Sequence, residues 1–189
     1  MPWLGLRLRR YTGRLPPSFA LLGSDSLSEI TIAGYVPGAI GRVAELHADY
    51  YSQAWDFGLY FEAKVASELS GFLGRFDPER DGFWTAVQGG RVEGSIAIDA
   101  SKAATAGAHL RWFILSDALR GQGAGNRLMQ EAVGFCRRRG YAHVYLWTFR
   151  GLEPARHLYE KFGFRLAEQT EGEQWGKRVL EQRYVLDLG

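Results

Sequence analysis

Ala108-His109-Leu110-Arg111-Trp112-Phe113-Ile114-Leu115 runs through Ser116-Asp117-Ala118-Leu119 into Arg120-Gly121-Gln122-Gly123-Ala124-Gly125-Asn126. The first eight residues form a short, strongly apolar segment, which suits a central strand. Beyond the glycines, Leu128, Met129, Ala132, Val133, Phe135 and Cys136 recur at the spacing of one helix face. A strand that passes through a glycine-rich turn into a helix presents unpaired backbone N–H groups and a positive dipole end to an anion, most naturally a phosphate. Glycine suits the turn because a side chain would hold the phosphate away from the backbone.

Working outward, the order of elements fixes the class. Upstream, Ile30 and Ile32 read as a short strand, and Ile40, Val43, Ala44, Leu46 and His47 predict a helix over about 39–51. Phe61, Val65, Leu69 and Phe72 predict a second helix over 59–73. Strands at 83–87 and 92–98 flank Gly89-Gly90 as a hairpin, and 101–107 is a loop of small residues. Downstream, Arg137-Arg138-Arg139-Gly140 reads as a helix end, with cations complementing the dipole and glycine closing it. An apolar strand follows at 144–147. Pro154 opens a short helix carrying Ala155, Leu158, Tyr159 and Phe162, which Gly163 closes. Strands at 164–167 and 179–186 finish the chain. The order β-α-α-β-β-β-α-β-α-β-β is a mixed α/β fold in one domain over 29–189, preceded by an extension over 1–28 that has no clear period.

Composition narrows the function. In 189 residues, 23 Lys and Arg stand against 21 Asp and Glu, a balance that argues against nucleic acid as the main partner. Arg7, Arg9, Arg10 and Arg14 in the extension are read as a solvated tail or an added edge strand. No apolar run approaches the roughly 20 residues of a membrane span, and no secretory signal is evident, so a cytoplasmic protein is expected. The single cysteine, Cys136, excludes an internal disulfide and falls on the apolar helix face. His47, His109, His143 and His157 show no ligand spacing, and no metal is implied.

Three phosphate-binding loops can be separated. The dinucleotide fingerprint wants a third glycine or alanine where this chain has Asn126, and the nucleotide-triphosphate loop wants a lysine, absent from Gly121 to Gly140. What remains is R-x-x-G-x-G, as Arg120, Gly123 and Gly125, which resembles the coenzyme A pyrophosphate loop of the GNAT superfamily of N-acetyltransferases. Ala155-Arg156-His157-Leu158-Tyr159-Glu160-Lys161-Phe162-Gly163-Phe164 resembles that family's second signature. The specific likeness covers about 108–167, and the element order extends it to about 29–187. After the second strand, Thr148-Phe149-Arg150-Gly151 stands where the family often places an asparagine.

The resemblance implies an acetyl-CoA-dependent N-acetyltransferase with a mostly antiparallel, GNAT-like sheet flanked by helices. It implies that the backbone of Phe113 and Leu115 binds the pantetheine arm. It also implies that Gly121, Gln122, Gly123, Ala124, Gly125 and Asn126 hold the pyrophosphate by their amides while Arg120 steadies the loop. Tyr159 matches the family's general-acid position. His109 is the first candidate for the base, with Glu93 and Asp99 as alternatives. The acceptor is expected to be an amine on a small molecule or peptide, received by the aromatic and acidic residues His47, Asp49, Tyr50, Tyr51, Trp55, Asp56, Phe57, Tyr60 and Phe61. A homodimer through an edge strand at either terminus is a further expectation. A non-catalytic acyl-CoA-binding module is the alternative from another class.

Overall fold

The computed structural model describes residues 29–189, and the expected extension at 1–28 lies outside them. The strands are β1 (Thr31–Ala33), β2 (Gly82–Gln88), β3 (Arg91–Asp99), β4 (Ala108–Leu115), β5 (His143–Phe149), β6 (Arg165–Gly172) and β7 (Val179–Asp187). The helices are α1 (Ala39–Trp55), α2 (Leu59–Gly74), α3 (Ala103–Ala106), α4 (Ala124–Arg138) and α5 (Glu153–Lys161). The expected mixed α/β order is present, with one turn of helix, α3, inside what reads as the 101–107 loop. Three ends differ as well. Helix α1 runs past Tyr51 to Trp55, where Asp56 takes a left-handed conformation and its N–H closes on Ser52 O at 3.0 Å. Helix α4 starts at Ala124 rather than Asn126. Strand β6 continues to Gly172, and its polar residues give no alternation because almost the whole strand is solvated.

One seven-stranded sheet has the order β1-β2-β3-β4-β5-β7-β6. Every neighbouring pair is antiparallel except β4 and β5, which α4 connects. Alternation on β3 feeds two cores: Ile96 and Ile98 meet Leu128, Met129 and Val133 of α4, whereas Ala97 meets the side of α1 and α2 with Val43, Leu69 and Phe72. β3 is buried on both faces from Val92 to Asp99, and each large apolar side chain removed from water there contributes about 1.5–3 kcal/mol.

Among the described residues the sheet edges are β1 and β6. The C-terminal strand β7 is internal, between β5 and β6, so the expectation that the C-terminal strand offers an edge for a dimer is corrected. Arg165, Glu168 and Glu171 charge the exposed β6, a common guard against strand addition. No helix among the described residues is long and apolar enough to cross a membrane.

Candidate active site

Strands β4 and β5 pair only at Ala108↔Val144 and His109↔Tyr145, then part. The cause lies on β4. Between Ala97↔Arg111 and Ser95↔Ile114, the two residues Trp112 and Phe113 oppose the single Ile96, which makes a β-bulge. A bulge bends and twists its strand, and here it turns the end of β4 away from β5. Trp112 pays for the bend with φ 46°, a conformation costing about 1–3 kcal/mol for a bulky residue. Ser95 stabilises it by donating its buried hydroxyl to the Trp112 carbonyl at 2.7 Å. The bulge also shifts the alternation. Ala108 and Leu110 face the α4 core, yet beyond the bulge Trp112 and Ile114 face α1 and α2 while Phe113 and Leu115 face α4. Arg111 and Trp112 therefore fall on the same side.

At the end of β4 the chain makes a 3-10 turn at Asp117–Leu119 and enters the glycine loop. Gly121 and Gly123 have φ of 74° and 77°, and a Cβ on either would meet nothing within 4 Å, so open space lies above the turn. Gly123 is the N-cap of α4. The first N–H of this helix to find a carbonyl is that of Arg127, on Gly123 O at 3.1 Å; those of Ala124, Gly125 and Asn126 have no acceptor among the described residues. No acidic side chain stands in the first turn to compete for the dipole. Nearby, the exposed Arg120 pairs with Asp117 at 2.8 Å and lies 5.7 Å from the Tyr50 ring, while Lys161 of α5 donates to Asn126 Oδ1 at 2.7 Å. Free amides, two cations and room above the backbone fit the pyrophosphate of a coenzyme. Gly125 has a different part, since a Cβ there would sit 3.1 Å from Leu115 Cδ1 and 3.3 Å from Leu158 Cδ2, so it lets α4 pack against β4 and α5. Gln122 folds back, donating from Nε2 to Ala118 O at 2.5 Å.

A cavity of about 250 Å³ opens in the fork between β4 and β5, bounded by α1 and α2 on one side and by Gln174 and Trp175 of the β6–β7 loop on the other. Tyr159 of α5 lines it, its ring 6.1 Å from those of Phe113, Phe164 and Tyr184. Tyr159 is 6% exposed, and its hydroxyl has no hydrogen-bond partner among the described residues. Burial, then the neighbouring Tyr184, pushes this phenol above its ordinary value. It stays protonated through the physiological range.

Residues 40–164 match the Acetyltransferase (GNAT) family. The chain belongs to the GNAT acetyltransferase family. Its fold is shared with a GNAT acetyltransferase from Staphylococcus aureus Mu50 (TM-score 0.68, 15% identity, covering 85% of this chain and 100% of that one). The YncA protein of Salmonella typhimurium, solved with its cofactor acetyl-CoA, aligns at TM-score 0.66 and 14% identity over 86% of this chain and 95% of that one. The ribosomal-protein-S18-alanine N-acetyltransferase of Escherichia coli aligns at 0.62 and 19% identity over 85% and 95%. Against curated proteins the sequence finds no match. As a GNAT enzyme the chain is an acetyl-CoA-dependent acyltransferase.

The walls of this acetyltransferase bring together some expected residues and not others. His109 lines the cavity, stacked on Tyr145 at 4.3 Å, but burial first and Arg111 second lower it to about 3. Lowered in this way, His109 stands in the cavity wall as a neutral imidazole. Glu93 and Asp99 lie outside the cavity. Glu93 is bound to Arg42 at 2.9 Å. Burial raises the Asp99 carboxyl, but Arg75 and Ser101 outweigh that and hold it low.

Of the nine acceptor candidates, His47, Tyr51 and Phe61 line the cavity. Trp55 and Phe57 pack behind them on Phe149. Asp56 points outward to Lys177 at 3.1 Å, and Tyr60 is exposed. Sequence reasoning missed Lys64, Glu68, Arg111, Trp147, Gln174 and Trp175. The charged three lie on elements 43 residues apart that no local pattern connects.

Proposed function

We propose that this chain transfers the acetyl group of acetyl-CoA to a primary amine of a small molecule or peptide, directly, in a ternary complex. The observation that carries the reading is Tyr159, whose ring is buried while its hydroxyl, without a hydrogen-bond partner among the described residues, is open to the cavity where the sheet forks and so is available to a ligand.

The coenzyme supplies an acetyl thioester. The pantetheine arm would lie in the fork along Phe113 and Leu115, and the amides of Gly121 and of Ala124 to Asn126 would hold the pyrophosphate, with Arg120 and Lys161 at its margin, whereas the Gln122 amide is taken by Leu119 O at 3.3 Å. Tyr159, kept neutral, donates its proton to the departing thiolate as the C–S bond breaks, and is reprotonated by the proton that the attacking nitrogen loses as the amide forms. A free thiol has a reference value near 8.5, so a late transfer in a site that also desolvates the thiolate suits a raised phenol. His109 is neutral and offers a hydrogen-bond acceptor to the entering amine rather than a base. Taking a proton from an ammonium of reference pKa about 10.4 to a base near 3 would cost on the order of 10 kcal/mol. The amine therefore sheds its proton to water before it enters the cavity. Cys136 supports direct transfer, because it lies in the α4 core away from the cavity with its thiol pushed up to about 12.

Incubation of the protein with acetyl-CoA and a panel of primary amines tests this reading. N-acetyl product is expected, with kcat reduced about 100-fold or more in Tyr159→Phe and coenzyme affinity retained. Unchanged turnover in that variant would remove Tyr159 from the chemistry.

A further inference from the structure

We infer that the acceptor carries a carboxylate beside its amine, and that Lys64 of α2 and Arg111 of β4 hold this carboxylate on the wall of the cavity. The inference deepens the amine-acetylation reading and rests on it.

Lys64, Glu68 and Arg111 all line the cavity. One carboxylate serves both cations: Lys64 Nζ donates to Glu68 Oε1 at 2.6 Å and Arg111 Nη2 donates to Glu68 Oε2. The wall is left with one uncompensated positive charge. Among the described residues nothing else facing the cavity cancels it. His47 and His109 are neutral, lowered to about 4 and about 3 mainly by burial. Asp99, 3.9 Å from Arg111 Nη1, is outside the cavity and is taken up by Arg75 at 2.5 Å and by Ser101. Behind His109, the charges of Arg183 and Lys102 add to the positive potential.

The donors are present as well as the charge. An ammonium has three N–H groups and a guanidinium five, of which Glu68 occupies one on each. Arg111 is held over the Trp112 ring, its guanidinium carbon 4.1 Å from the centroid, so its remaining N–H groups are positioned in advance. A second carboxylate would complete an array of two cations and two anions. A free amino acid and a peptide with an acidic side chain near its N-terminus share this chemistry.

The test measures binding to the protein saturated with coenzyme A, whose own effect on the thermal midpoint reports that each variant is folded. The probes are N-acetylphenylalanine, N-acetylleucine and N-acetylglutamate, each against its primary amide, and N-acetyl-Glu-Ala-amide against N-acetyl-Gln-Ala-amide. At least one carboxylate is expected to bind about tenfold more tightly than its neutral partner, and K64M should bring that ratio to within about threefold. A preference confined to the single amino acids assigns a small-molecule acceptor; one confined to the dipeptide pair assigns an acidic peptide. Ratios near one throughout, or a preference that survives K64M, would overturn the inference. The corresponding free amines are then offered with acetyl-CoA. A carboxylate preference without any N-acetyl product would overturn the amine-acetylation reading while leaving the anion subsite in place.

Discussion

At the scale of single residues, burial decides protonation around the cavity. His47 is 6% exposed, with Nδ1 2.8 Å from Val43 O, and its value falls to about 4. A histidine held neutral in this way binds fewer protons folded than unfolded between that value and 6.5. Its contribution is present above about pH 6.5 and is lost as pH falls toward 4. Between pH 7 and pH 5, His47 alone should cost on the order of 2 kcal/mol of stability, and His109 titrates in the same direction. Thermal midpoints across that range check the effect, and a flat midpoint would contradict it. Turnover behaves differently. With His109 near 3 and Tyr159 raised above its ordinary value, kcat should show no inflection assignable to either between about pH 6 and pH 9. A rate that follows a group near 6.5 would restore a histidine base.

At the scale of elements, the bulge in β4 and the glycine turn before α4 build the site. Ser95→Ala leaves the Trp112 carbonyl unsatisfied in the buried sheet, which should lower stability by about 1–3 kcal/mol and loosen the fork. Denaturant titration and the KM for acetyl-CoA read these two effects. The two kinds of glycine should separate in mutants. Gly123→Ala meets no atom but must adopt φ 77°, so it should cost about 1–2 kcal/mol and raise the coenzyme Kd. Gly125→Ala pushes on Leu115 and Leu158 and should act mainly through packing.

These elements were unequally legible in the sequence. The apolar run at 108–115, the glycines after it and the 3.6 period of α4 each leave a local trace, so this part of the fold could be read directly. The bulge leaves none, because Trp112 is a residue that ordinarily avoids positive φ and Ser95 is one hydroxyl among many. The fork that depends on them is equally without a local trace. Strand β6 was cut short because an edge strand that buries little need not alternate. The Lys64, Glu68 and Arg111 cluster was invisible for a third reason: α2 and β4 meet only after the chain folds.

At the scale of the whole molecule, two helices on each face clamp a sheet that is continuous except where β4 leaves β5. A coenzyme seated in that gap would span strands that no longer bond each other, and it should stabilise the entire domain. At about 100 times its Kd, a ligand that binds only the folded state adds roughly 2.7 kcal/mol, or about 5–10 °C in a domain of this size. The most direct test is the thermal midpoint of the wild type and of Gly123→Glu with and without acetyl-CoA. A rise of that order is expected in the wild type and its loss in the variant, whose own midpoint without ligand falls by only the few degrees that a side chain at φ 77° costs, since the added side chain meets no neighbouring atom. No rise at saturating acetyl-CoA, or an equal rise in both proteins, would contradict the placement of the coenzyme on this loop.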